Sequence, residues 1–201
     1  MTIVARKDLE PSDLKSLIEY AKANKDTVTV ANAGIGAASH LCGMMFMSAI
    51  QTPLVTVPYK GTGPAMTDLL GGQVDIMCDQ TTNTTKQIQG GTVKAYAVTT
   101  AKRLDVLPDV PTAEEAGMPG FEVGIWHGLY APKGTPAEVT ERLSKSLQVA
   151  LKDPNVVARF AELGTTPSSD ADATPAALKA KLESEITRWK PIIDAAGQYA
   201  D

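Results

Sequence analysis

TVTVANAGIGAASHL, residues 27–41, joins a strand to a helix through a glycine loop. Thr27 to Ala31 is β-branched and reads as a strand. A loop with Gly34 and Gly36 follows, then HLCGMMFMSAI (40–50), whose apolar residues are dense enough for a mostly buried helix that Ser39 can cap. Working outward, LVTVP (54–58) is a second strand. After the PYKGTG turn, PAMTDLLGG (64–72) reads as a short helix, with Pro64 in its first turn and Gly71 and Gly72 as its stop. VDIMC (74–78) and VKAYAVT (93–99) are further strands around a polar segment, TTNTTKQIQGG, whose threonines make a weak helix. A helix at 11–24, led by Pro11 and Ser12, precedes the series. Strand and helix in alternation predict an α/β fold, a mostly parallel sheet flanked by helical crossovers.

Beyond residue 104 the composition changes. LDVLPDVPTAEEAGMPG (104–120) is rich in proline and glycine and reads as an extended crossing with a short helix at Thr112 to Ala116, where Thr112 caps and Glu115 stands three residues on. FEVGIWHGLYAP (121–132) is strand-like. The rest is helical, with segments at Thr135 to Leu151, Asn155 to Leu163 and Pro175 to Ala196 and no strands interleaved.

Composition narrows the function. The 201 residues carry 19 Lys and Arg against 23 Asp and Glu, a net charge of −4 without a polybasic run, which argues against nucleic acid or an anionic membrane surface as partner. Hydrophobic residues at 43% with charged residues at 21% suit a folded globular chain, and no apolar run approaches a membrane span. Only Thr2 to Ala5 precede the first charges, too little for a secretory signal, so the chain reads as mature, cytosolic or truncated. Cys42 and Cys78 are either two buried thiols or one bridge; two cysteines at this spacing match no metal or redox motif.

The glycine loop is the sharpest chemical signal. Small residues let backbone amides approach a ligand, and a helix N-terminus favours an anion. A dinucleotide fingerprint would need glycine where Ser39 stands, and no G-K-[ST] follows for a phosphate-binding loop. His40 lies one residue into the helix, with no nucleophile at suitable spacing. Asp79 falls at the carboxyl end of its strand, the edge where open α/β sheets bind ligands, whereas Asp75 is expected to face solvent or to cap the Gly-Gly turn. Tyr59 and Lys60 follow a strand at that same edge, and Trp126 and His127 lie in an apolar run that suits a core.

In order along the chain, ANAGIGAASHL, VPYKGTGPAMTDLLGGQVDIMCD, AVTTAKRLDVLPDVPTAEEAGMPGFE and HGLYAPKGTP resemble the Bug or TctC family of extracytoplasmic solute receptors, which serve tripartite tricarboxylate transporters. The resemblance implies a two-lobed, periplasmic-binding-protein-like fold, with residues 1–120 as the second lobe. Residues 121–201 would be the return strand and helices of the other, incomplete lobe. It implies a receptor, not an enzyme, without cofactor or metal, monomeric at full length and periplasmic. Its partners would be a small carboxylate or amino acid and membrane transporter subunits. Carried onto this chain, the ligand contacts fall at Ala33, Gly34, Gly36, Ala37, Ser39 and His40, with Tyr59 and Asp79 at the rim. Amides of Gly34 to Ala37 would hold a carboxylate, and Asp79 would accept from a ligand hydroxyl, amine or water. The proline-rich crossing would absorb hinge rotation. Two other readings of the residues are an α/β enzyme with His40 or Lys60 as base, and a lone lobe serving as an interaction module.

Overall fold

Strand β1, Thr2–Arg6, lies inside the sheet although the sequence pattern does not announce it. Its first four residues are buried, so it lacks the alternation that marks a half-exposed strand. The computed structural model describes residues 1–196, which divide into two compact units, Met1–Ile125 and a second that begins at Trp126. In the first unit the chain continues through α1 (Leu14–Ala23), β2 (Thr29–Asn32), α2 (Ala38–Ala49), β3 (Val55–Pro58), α3 (Thr62–Leu70), β4 (Ile76–Asp79), α4 (Thr81–Gln89) and β5 (Val93–Val98). The strand order is β3-β2-β4-β1-β5. β2 pairs parallel with β3 and with β4, while β1 pairs antiparallel with both β4 and β5. Four strands therefore point one way and β1 alone is reversed, which keeps the expected α/β sheet mostly parallel.

The register aligns Ala31 with Met77, and both join Val4, Ala65, Met66 and Leu69 in a core beneath α3. On the other face α2 presses close, because a side chain at Gly43 would meet Val30 Cγ1 at 3.2 Å. The Cys42–Cys78 pair is a disulfide joining α2 to β4, which resolves the two alternatives in favour of the bridge. Phe46 of α2 meets Phe121 edge to face at 6.5 Å between ring centroids. α1 starts one residue after Asp13, whose carboxylate accepts from the Ser16 amide at 2.8 Å in a capping box, so Asp13 rather than Pro11 or Ser12 sets its start. The threonine-rich α4 forms because Thr81, Thr84 and Thr85 are buried, with Thr85 donating back to the Thr81 carbonyl.

Two local expectations are corrected. Asp75 is half-buried at the opposite edge, where its carboxylate accepts from Arg6 Nε at 2.9 Å and from the Thr29 amide and hydroxyl at 2.9 and 2.8 Å, tying β1, β2 and β4 together. Residues Thr112 to Ala116 form a turn, not a helix, although the reciprocal bonds between Thr112 and Glu115 are made as the sequence suggests. The proline-rich crossing, read as extended, packs on the sheet. Its Thr112 bridges Val98 in parallel, and Leu107, Val110, Met118 and Phe121 are buried.

In the second unit, Phe121–Pro132 carries no strand from Trp126 on, just as it has none before it; a strand needs a ladder partner, and no pairing is made there among the described residues. Helices α5 (Ala137–Ala150), α6 (Pro154–Glu162) and α7 (Pro175–Ala196) follow. Pro136 is the residue before α5, and the Thr135 hydroxyl donates to the Pro132 carbonyl instead of capping the helix. No residue of α5 or α6 is buried, and Val139, Leu143, Val149, Val157 and Ile186 are exposed.

Candidate functional site

Where β2, β3 and β4 end, three loops lead into α2, α3 and α4, and each places a helix N-terminus at the same sheet edge. The first two loops are laced by backbone. The Tyr59 amide donates to the Asn32 carbonyl at 2.9 Å and the Gly61 amide to the Ala33 carbonyl at 3.1 Å. Gly34 lies at φ +121°, and a Cβ there would stand 3.1 Å from the Tyr59 carbonyl oxygen, so close approach and conformation both demand glycine.

The first loop also binds itself. Its amide donors at Ala33, Gly34, Gly36 and Ala37 go respectively to Ser39 Oγ at 2.8 Å, Asn32 Oδ1 at 2.9 Å, His40 Nδ1 at 3.2 Å and the Gly34 carbonyl at 3.0 Å. Ser39 therefore closes the loop rather than capping α2; Ala37 precedes the helix and gives no side-chain cap. The amides of Gly34, Gly36 and Ala37, expected to face a ligand, are spent on the loop. Those of Ile35, Ala38 and Ser39 meet no acceptor among the described residues, and they stand at the positive end of a twelve-residue helix. Unpaired amides in that position can donate to an anion. His40 is buried with its Nδ1 lone pair engaged, which takes that nitrogen away from base chemistry.

Tyr59 is half-buried, and its hydroxyl donates to Asp68 Oδ2 at 2.7 Å; this bond to a carboxylate is the main cause raising the phenol pKa. Asp79 is at the expected edge but not at the rim, being 1% exposed. Its carboxylate accepts from the Gln80 amide at 2.8 Å and from Asn83 Nδ2 at 3.3 Å. Burial raises its pKa, while hydrogen bonding from the Gln80 amide, Thr62 and Asn83 works against that rise. Sequence reading missed Thr62, Asn83 and Asn32 as members of this edge. The signal available was position, since each falls at the end of a parallel strand or in the first turn after one. Lys60 is exposed, Trp126 half-buried and His127 exposed.

The family described as "Tripartite tricarboxylate transporter family receptor" matches residues 1–198. The UPF0065 protein in the TAR-I ttuE-ttuC' intergenic region of Agrobacterium vitis is 55% identical over 98% of this chain and 57% of its own length. The solved periplasmic binding protein BugD superposes with a TM-score of 0.91 at 56% identity, over 98% of this chain and 65% of BugD. MatC from Rhodopseudomonas palustris, solved with bound malate, superposes equally well at 0.91, with 38% identity over 96% of this chain and 65% of MatC. The chain thus spans a little over half the length of the Agrobacterium relative and about two thirds of each solved neighbour.

Proposed function

The chain belongs to the tripartite tricarboxylate transporter receptor family, and on that premise we propose that it captures a small organic carboxylate for a membrane transporter without altering it chemically. One observation carries the reading. The amides of Ile35, Ala38 and Ser39 are open at the N-terminus of α2, on a loop whose other amides are already committed to holding its shape. A preorganised donor set loses little entropy on binding an anion, and the helix dipole favours negative charge there. Ala33, Gly34, Gly36, Ala37 and His40 frame the cradle, Ser39 keeps a hydroxyl hydrogen to offer, and Tyr59 flanks it. The periplasmic relative BugD and malate-bound MatC support the ligand class and an extracytoplasmic setting.

In this reading the first unit, Met1–Ile125, forms one lobe, five residues longer than the sequence indicates because Phe121 and Val123 are buried in it. The segment from Trp126 onward belongs to the other lobe, whose remainder would cover the exposed Val139, Leu143, Val157 and Ile186. The protein works by binding, with transporter subunits as its partners. The test is a thermal-shift screen of four-carbon and six-carbon diacids, hydroxy acids, aromatic acids and amino acids on the native-length protein. Stabilisation by acids carrying a free carboxylate, and not by their amides, supports the reading; no response to any carboxylate overturns it.

A further inference from the structure

Resting on that reading, we infer that Asp79 is a positioning residue, not a ligand contact: its buried carboxylate holds the first turns of α3 and α4 at a fixed spacing beneath the cradle. Three observations converge. The side chain is 1% exposed and its oxygens are occupied by the Gln80 amide and Asn83 Nδ2. Asn83 Nδ2 also reaches Thr62 Oγ1 at 3.5 Å, so one carboxylate and one amide link β4, the start of α3 and the first turn of α4. The Asp79 carbonyl accepts from Thr2 Oγ1 at 3.2 Å, anchoring the same point to β1.

The remaining two sides of the site are pinned by other means. Backbone bonds from Tyr59 and Gly61 join the first loop to the second. The Cys42–Cys78 disulfide joins α2 to β4 one residue before Asp79. The three loops are thus tied in pairs, and the Asp79–Asn83–Thr62 contact is the only one of the three ties made by side-chain hydrogen bonds. An anionic group that faced a carboxylate ligand directly would repel it. Buried and hydrogen-bonded at both oxygens, Asp79 can order the site without meeting the ligand.

The experiment compares malate with succinate, which lacks the hydroxyl, by calorimetry on native-length wild type and Asp79→Asn. A positioning role lowers affinity for both by the same factor, about tenfold, the size of one lost charge-assisted hydrogen bond. It also speeds hydrogen exchange at the Gly61, Asn83 and Thr84 amides, which close the second and third loops. Loss confined to malate would make Asp79 a hydroxyl contact, and unchanged affinity for both would make it merely structural; either result overturns the inference. If Asp79→Asn does not fold, Asn83→Ala breaks the same link and is read identically. Should wild type bind no carboxylate at all, the receptor reading fails by itself, and the exchange rates alone decide the role of Asp79: unchanged rates overturn it.

Discussion

Breaking the Cys42–Cys78 bond should destabilise the first unit far more than it changes the loops locally. The bridge closes a loop with a sequence separation of 36. Constraining that loop in the unfolded chain is worth about 4 kcal/mol on the chain-entropy relation. Neither sulfur is accessible, with Cys42 at 0% and Cys78 at 3% exposure, so folded protein resists reductant and the comparison must pass through unfolding. Urea unfolding with and without a thiol reductant supplies it. For a slope of about 2 kcal/mol per molar urea, the midpoint should fall by about 2 M. Exchange protection of the Val30 and Met77 amides, in the paired strands β2 and β4, reports the first unit specifically. A Cys42→Ala/Cys78→Ala variant should match the reduced protein and show no response to reductant. A midpoint that moves by less than about 0.5 M would refute the entropic argument, because loop closure alone predicts several times that shift.

Four further outcomes follow from the geometry. Ser39→Ala leaves the Ala33 amide without its acceptor and should cost about 1–2 kcal/mol of stability by chemical denaturation, together with weaker carboxylate binding. Gly34→Ala should destabilise more than Gly61→Ala, because both have positive φ but only the former brings a Cβ against the Tyr59 carbonyl; the strain is about 1–3 kcal/mol, read from paired melting curves. The pKa of Asp79 is raised on folding, so the native state binds more protons than the unfolded one between the two values. Stability should fall as pH rises through that window, a slope absent from Asp79→Asn in denaturation curves taken at several pH values. Native protein released by osmotic shock and sequenced from its N-terminus should appear in the shock fluid, and retention in the cytoplasm would count against the extracytoplasmic assignment.

The parallel part of the sheet was legible because β2 and β3 run into glycine-marked turns at Gly34, Gly36 and Gly61, and α3 carries Pro64 in its first turn and stops at Gly71 and Gly72. α7 begins at Pro175 and ends at Ala196, as its composition indicates. β1 was not legible: its four buried residues, Thr2 to Ala5, show no alternation, and its pairing partners on β4 and β5 lie more than seventy positions away. The strand-like reading of Phe121–Pro132 rested on apolar residues alone, and a ladder needs a neighbour that local sequence cannot supply. At the site, the edge was readable from the order of strands and loops. Depth was not, which is why Asp79 was expected at the rim and is buried. Hydrogen-bond bookkeeping was equally hidden. The pattern A-G-I-G-A announces amides near a helix start, but only the fold shows which of them Ser39, Asn32 and His40 have already taken.

Binding of a small carboxylate without chemistry is decided by titrating native-length protein with a carbon-labelled form of the acid that stabilises it most in the thermal-shift screen, and recovering the ligand afterwards. Saturable binding of one molecule per protein is expected, with the ligand returned unchanged after prolonged incubation. Conversion of the label to any other compound, or equal saturation by the amidated ligand, would overturn the receptor reading.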